Sequence, residues 1–211
     1  MLKKTLALTA LILPLNATAA IVPINWIGVV SSTTIAGTVD IGDTITGHFS
    51  YDDSSSYGSY SDAVTQQYDT NHDSSFSVNG LSGTIGGNDI WVYNNHSSVG
   101  DQFDSRGFNG GYTGDLLAGQ SVSQIFVRFN DSTASVFADT SLLSELDSAQ
   151  FNFSHNSRLD LDSGSVGFYV TSFSSVTEVP VPAAGWLFGS AVIGLLHTQI
   201  ARRERVGSAK H

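Results

Sequence analysis

The chain has 211 residues, with 19 Asp or Glu, nine Lys or Arg, no cysteine and a formal net charge of −10. This acidity argues against a nucleic-acid partner, because the phosphates would be repelled. The lack of cysteine excludes a disulfide framework, a thiolate zinc site, an iron–sulfur cluster and a cysteine nucleophile. The length fits one domain with a sizeable core.

The N-terminus has the three parts of a secretory signal peptide. Lys3 and Lys4 precede an apolar run over residues 6–15, and Ala17-Thr18-Ala19 supplies small residues at the exit. The apolar run is too short to span a bilayer comfortably. We therefore expect a signal peptide over residues 1–19, with cleavage after Ala19 or one residue later, after Ala20.

The C-terminus has the features of a membrane anchor. An uncharged apolar run follows two prolines, and about residues 183–201 are long enough to span a bilayer as a helix. An arginine cluster follows, and the positive-inside rule keeps such a cluster in the cytoplasm; its members are Arg202, Arg203 and Arg205. The processing segment before the run comprises Val179, Pro180, Val181, Pro182 and Ala183.

The order of these features over residues 178–211 resembles the tripartite sorting signal of the PEP-CTERM family. Where that family has Pro-Glu-Pro, this chain has a Val-Pro-x-Pro-Ala-Ala variant, with Glu178 ahead of it. The resemblance implies export in a Gram-negative bacterium that makes exopolysaccharide. It also implies anchoring in the inner membrane, cleavage by an exosortase-type enzyme, and transfer to the cell surface or extracellular matrix.

The middle of the chain is more acidic than the whole. Residues 20–182 contain three arginines and 18 Asp or Glu, a formal net charge of −15. Apolar residues recur with a period of two over residues 35–41 and 45–51, on either side of Gly42-Asp43, which predicts a hairpin. Further short strands are predicted over residues 75–78, 83–85, 90–93, 124–129, 134–138, 150–155 and 166–173.

These strands predict an all-β domain over residues 20–177, an antiparallel β-sandwich with a jelly-roll-like arrangement. Residues 52–73 and 94–119 are predicted as long polar surface loops, and residues 141–148 as one helical turn. Residues 47–52, Gly-His-Phe-Ser-Tyr-Asp, also resemble a strand that opens many PEP-CTERM domains. That family supplies no catalytic residues.

No motif in the chain indicates an enzyme. The Gly-x-Ser-x-Gly nucleophile elbow and the His-Glu-x-x-His zinc motif do not occur, and the six histidines are scattered. A glycosidase needs two carboxyls about 5–10 Å apart, and most Asp residues fall in turn-like segments, where they cap backbone N–H groups. We predict no catalytic residues and no cofactor.

Two binding alternatives remain. Asp69, Asn71 and Asp73 begin a calcium-loop pattern, but Ser74 and Gly80 stand where that loop needs Gly and Glu. A solvated acidic loop is therefore favoured over a calcium site.

The second alternative is a sugar platform. Trp91 and Tyr93 share one face of a strand and could stack on a sugar, with Asn94 and Asn95 as amide partners. Their strand position favours a role in the core instead.

The sequence thus predicts an exported surface or matrix protein with a structural or interaction role. The first alternative is an extracellular carbohydrate- or calcium-binding module. The second is a periplasmic domain held by a single membrane span. The expected partners are an exosortase-type enzyme, the inner membrane and exopolysaccharide.

Overall fold

Side chains that alternate between an apolar interior and a polar outer surface form ten β-strands. The computed structural model describes residues 21–108, 111–153 and 156–175. The strands are β1 (Ile21–Thr33), β2 (Thr44–Asp52), β3 (Tyr57–Ser61), β4 (Thr65–Val78), β5 (Leu81–His96), β6 (Gly100–Gly107), β7 (Tyr112–Gly114), β8 (Val122–Asp131), β9 (Ser157–Leu161) and β10 (Gly164–Ser175). The described helical structure is one 3-10 turn, Ser148–Gln150.

Eight of these strands close into a ring. The order is β4-β2-β1-β10-β9-β8-β6-β5, and pairing of β5 with β4 completes it. Every pair is antiparallel, and the short strands β3 and β7 flank β4 and β5. The prediction of an all-β antiparallel fold is confirmed. The predicted two-sheet sandwich is not clearly present, because continuous pairing makes the strands a closed barrel.

The predicted hairpin is half correct. Strand β2 forms as expected, with Ile45, Phe49 and Tyr51 buried in the interior. Its hairpin partner is β1, a strand that the sequence reading missed, whereas residues 35–41 form turns. β1 takes the place predicted for residues 35–41 because it pairs along both edges, with β2 and with β10, and buries every second side chain.

The prediction of two long polar loops is wrong, because both segments contain strands. Residues 52–73 contain β3 and most of β4, and residues 94–119 contain β6 and β7. Polar side chains are tolerated on these strands because many of them lie on the outer surface of the barrel. By contrast, no strand forms over residues 134–138 or over the described part of 150–155. The helical turn predicted over residues 141–148 is also wrong, since the 3-10 turn begins only at Ser148.

The interior of the barrel is filled by side chains, with aromatic rings at its centre. Phe129 is fully buried, and its ring centroid lies 4.2 Å from that of Phe173. Four further rings lie around 6 Å from Phe129: those of Phe49, Phe103, Phe151 and Phe153. Such a filled interior is typical of small barrels, in which packing rather than a channel occupies the centre.

The Trp26 ring lies close to the backbone of β2 at Gly47. The Trp26 ring stacks on Phe168 at 5.1 Å. Gly47 on β2 leaves room for this ring, because a Cβ at Gly47 would lie 2.2 Å from the Trp26 ring and 2.2 Å from the Ser75 carbonyl oxygen. A side chain at position 47 would therefore displace the core.

Buried aspartates hold the loops at one end of the barrel. Asp101 is fully buried and accepts hydrogen bonds from the backbone N–H groups of Asn95, Val136 and Phe137. Asp131 accepts from the backbone and hydroxyl groups of Thr133 and Ser135. Burial opposes the charge on Asp131, but these hydrogen bonds outweigh it and lower its pKa to about 2.

The first and last described strands are neighbours. β1 pairs with β10, and Ile24 lies opposite Ser175, the last residue of β10. The start of β1 and the end of β10 therefore lie at the same end of the barrel.

The two predicted targeting segments, residues 1–19 and 178–211, lie outside the described residues. The same holds for their processing residues and arginine cluster: Ala19, Ala20, Val179, Pro180, Val181, Pro182, Ala183, Arg202, Arg203 and Arg205. Among the residues that the structure does describe, no helix has the length and apolar character needed to cross a membrane.

Candidate functional site

Trp91 and Tyr93 lie on the outer surface of the barrel. They alternate along β5 with Ile90 and Val92, which are fully buried, whereas both aromatic side chains are half-buried. The favoured interpretation, that Trp91 and Tyr93 fill the core, is therefore wrong. The aliphatic residues take the interior positions, where they face the rings of the core cluster.

Tyr60 extends these two rings into a row that we call the aromatic ladder: Tyr60, Trp91 and Tyr93. The Tyr60 and Trp91 centroids lie 5.2 Å apart, and those of Trp91 and Tyr93 lie 6.4 Å apart. Tyr60 reaches this row because β3 pairs with β4, which in turn pairs with β5. Tyr60 is 44% exposed, so its ring is accessible to a ligand.

An open groove of about 600 Å³ lies beside the aromatic ladder. Tyr60, Trp91 and Phe108 supply its apolar lining. Its polar lining comes from β3 and β4 and from one aspartate of β5, in the form of hydroxyl, amide and carboxylate groups; these residues are Ser59, Gln67, Asp69, Asn71 and Asp89. Aromatic surface next to convergent polar groups is the usual composition of a small-molecule site.

Gln67 connects the two carboxylates of the groove. Its Nε2 donates to Asp89 Oδ2 at 2.7 Å and to Asp69 Oδ1 at 3.3 Å, and its Oε1 accepts from the Ser59 hydroxyl at 3.2 Å. Asp69 and Asp89 are direct partners across β4 and β5. Burial raises the pKa of Asp89, a hydrogen bond from Gln67 opposes the rise, and the nearby Asp69 carboxylate adds to it.

A bulge in β4 shapes one end of the groove. The register between β4 and β5 shifts on both sides of His72, and Asn71 has a φ of 52°. Asn tolerates this left-handed conformation better than most residues. The bulge lies next to Asp69 and bends the strand at the groove, as bulges near binding sites often do.

The three residues of the calcium alternative are all exposed on this irregular strand. Asp69, Asn71 and Asp73 lie in β4 rather than in the loop that the pattern requires. Within the described ranges, no three His, Cys, Asp or Glu side chains are grouped so that they could hold a metal ion.

All three arginines of residues 20–182 lie together beyond the ladder, and we call Arg106, Arg128 and Arg158 the outer arginines. Their guanidinium carbons lie 5.9, 5.5 and 4.6 Å from the centre of the Phe126 ring. Arg106 also lies over Trp91, at 4.2 Å, which connects this group to the aromatic ladder. Such cation–π contacts hold the charges on the ring faces.

Asp104 bridges two of the outer arginines. Its side chain is fully buried, and its Oδ2 lies 2.7 Å from an Arg106 nitrogen and 3.5 Å from Arg128 Nε. Arg106 also donates to the Tyr93 hydroxyl at 2.6 Å. Burial raises the pKa of Asp104, and the two guanidinium groups oppose this rise. The Asp104 pair therefore fixes Arg106 against the aromatic ladder.

Part of this site was predicted from the sequence. Trp91 from the sugar alternative and Asp69 and Asn71 from the calcium alternative line the groove, and Tyr93 stacks beside Trp91. Tyr60, Gln67 and Asp89 were not predicted. Asn94 and Asn95, the expected amide partners, do not line the groove. Alternation along each strand places Gln67 and Asp69 on one face of β4, and Asp89 and Trp91 on one face of β5. Only the pairing of β4 with β5 brings these two faces together, and the pattern of a single strand does not show that pairing.

Comparison of the chain with protein-family models, curated proteins and solved structures finds no match. The resemblance to the PEP-CTERM sorting signal therefore rests on the sequence motifs alone.

Proposed function

We propose that this protein is an exported surface or matrix protein whose barrel binds polysaccharide in the groove beside the aromatic ladder. One observation carries the proposal: aromatic rings and hydrogen-bonding side chains converge on a single open groove of the outer surface. Sugar rings present apolar C–H faces and hydroxyl edges, so they need both kinds of contact. A structural role without a ligand would not require aromatic side chains to be outside the core.

The shape of the groove favours a chain over a small compact ligand. The groove is open to solvent, and the Tyr60, Trp91 and Tyr93 rings form a row rather than a closed cage. Asp69 and Asn71, both exposed, provide a carboxylate and an amide along one side. Successive sugar units of an extended polymer could therefore occupy successive rings.

The two ends of the chain support the proposed route. A signal peptide over residues 1–19 would export the barrel, and the PEP-CTERM-like segment over residues 178–211 would hold it in the inner membrane. An exosortase-type enzyme would then release it to the surface or to the exopolysaccharide matrix. The net charge of −15 on residues 20–182 suits a soluble extracellular domain.

The route is tested by intact mass and cell fractionation in the native host, with and without the exosortase. We expect a released species that lacks residues 1–19 and the residues after about position 182. In cells without the enzyme, we expect the chain to remain in the inner membrane. A full-length membrane protein that the enzyme leaves unchanged would reject the sorting proposal and favour a permanent single-span anchor.

Binding is tested by calorimetric titration of the full-length chain with hexasaccharides of glucose, N-acetylglucosamine, glucosamine and galacturonate. We expect Tyr60→Ala and Trp91→Ala each to weaken binding of the best ligand by about tenfold, because each removes one stacking surface. Tyr60→Ala should disturb folding less than Trp91→Ala, since Tyr60 is exposed and lies on the flanking strand β3.

Tyr169 provides the matched control. It is also 44% exposed, but it lies on β10, away from the groove. Tyr169→Ala should bind with unchanged affinity, and thermal melting should show that all three variants fold. If none of the four hexasaccharides binds, or if Tyr60→Ala and Trp91→Ala both bind as tightly as the parent chain, the groove is not a glycan site.

A further inference from the structure

We propose that the groove selects glycans with free amino groups, that is, de-N-acetylated amino sugars, over neutral and uronate-bearing glycans. This inference rests on the proposed function and specifies the ligand of the same groove. The two charged residues that line the groove, Asp69 and Asp89, are both carboxylates. A ligand with ammonium groups would complement them, whereas a uronate would be repelled.

The carboxylates are already arranged around a nitrogen donor. The Gln67 amide nitrogen carries two hydrogens and donates one to Asp69 and one to Asp89. These bonds use Oδ1 of Asp69 and Oδ2 of Asp89. Asp69 is exposed, so an ammonium group of a ligand could approach its carboxylate from the solvent side. A charged donor strengthens such a hydrogen bond relative to a neutral amide.

The outer arginines do not supply a competing positive site in the groove. Arg106 is the outer arginine in contact with Trp91, but its guanidinium is bonded to Asp104 and to the Tyr93 hydroxyl. Arg158 is paired with Asp160 at 2.9 Å. Asp104 and Asp160 thus offset two of the three positive charges of this group, and the charged side chains that line the groove are both carboxylates.

The ring of Tyr60 suits the same ligand. Arg106 already occupies a face of the neighbouring Trp91 ring, whereas Tyr60 is 44% exposed and so accessible to the ammonium group of a ligand. An amino sugar bound between Tyr60 and Asp69 would place its ammonium group near both a carboxylate and an aromatic surface. The net charge of −15 on residues 20–182 would also attract a polycationic glycan over longer distances.

The experiment compares calorimetric affinities of the full-length chain for hexasaccharides of glucosamine, N-acetylglucosamine and galacturonate. The pH is mildly acidic, so that the amines are protonated. We expect the glucosamine hexamer to bind about tenfold more tightly than its acetylated form. We expect Asp69→Asn to remove most of this preference, so that the affinities for the two hexamers come within about twofold of each other.

Asp73→Asn is the matched control. Asp73 is exposed on the same strand but does not line the groove, and its replacement changes the net charge of the chain equally. It should retain the preference, which separates a local contact from general attraction. Equal affinities for glucosamine and N-acetylglucosamine would overturn the amine inference and leave the glycan site intact. Tightest binding of galacturonate would also overturn it, and failure of every hexasaccharide would reject the site itself.

Discussion

Replacing Phe129 by alanine is expected to lower the free energy of unfolding by about 3–5 kcal/mol. Phe129 is fully buried, and five other phenylalanine rings surround it at centroid distances between 4.2 and 6.3 Å. Truncation would remove the ring from the contact between several strands and leave a cavity. Since the neighbouring strands are held by pairing on both edges, they can move only slightly to fill it.

The measurement is urea unfolding of the full-length chain, monitored by tryptophan fluorescence. Phe129→Leu should cost much less, because it keeps most of the buried volume. Tyr169→Ala on the outer surface should change stability by less than about 0.5 kcal/mol. A loss below about 1 kcal/mol for Phe129→Ala would contradict the placement of Phe129 at the centre of the barrel.

Replacing Asp104 by alanine is expected to destabilise the protein by about 3 kcal/mol, the lower end of the range for breaking a buried ion pair. The Asp104 side chain is fully buried, whereas the side chains of Arg106 and Arg128 remain 21% and 24% exposed. Without Asp104, two like charges would lie side by side on the sheet with only partial hydration. Their partial exposure keeps the cost at the lower end.

Asp160→Ala gives the matched comparison within the same group of arginines. The Arg158–Asp160 pair has a similar distance, 2.9 Å, but its side chains are 46% and 24% exposed. Exposed pairs contribute about 0–1 kcal/mol, so this variant should be nearly as stable as the parent chain. If both replacements lower the free energy of unfolding equally in urea, the burial of Asp104 does not make its ion pairs more important for stability than the Arg158–Asp160 pair.

The strand pattern could be predicted where one face of a strand is apolar and the other polar. Residues 45–51 meet this condition, and β2 forms there with the expected side chains in the core. Strand β1 was missed because the apolar alternation of residues 35–41 offered a closer hairpin partner. The choice between these partners depends on pairing with β10, which lies more than 130 residues further along the chain.

The closure of the barrel and the groove both depend on contacts between distant residues. Alternation on β5 shows that Ile90 and Trp91 face opposite sides, but it does not show which side is the interior. The interior is decided by the rings that other strands contribute, such as Phe103 and Phe129. Likewise, Gln67 and Asp89 meet because β4 and β5 pair across a bulge, which no local motif indicates.

The adjacency of β1 and β10 matters for the proposed processing at the two ends of the chain. All the described strand pairs lie between residues 21 and 175. The first and last described strands, β1 and β10, are hydrogen-bonded to each other within the ring. Trimming either flank by a protease would therefore leave the hydrogen-bonded ring whole.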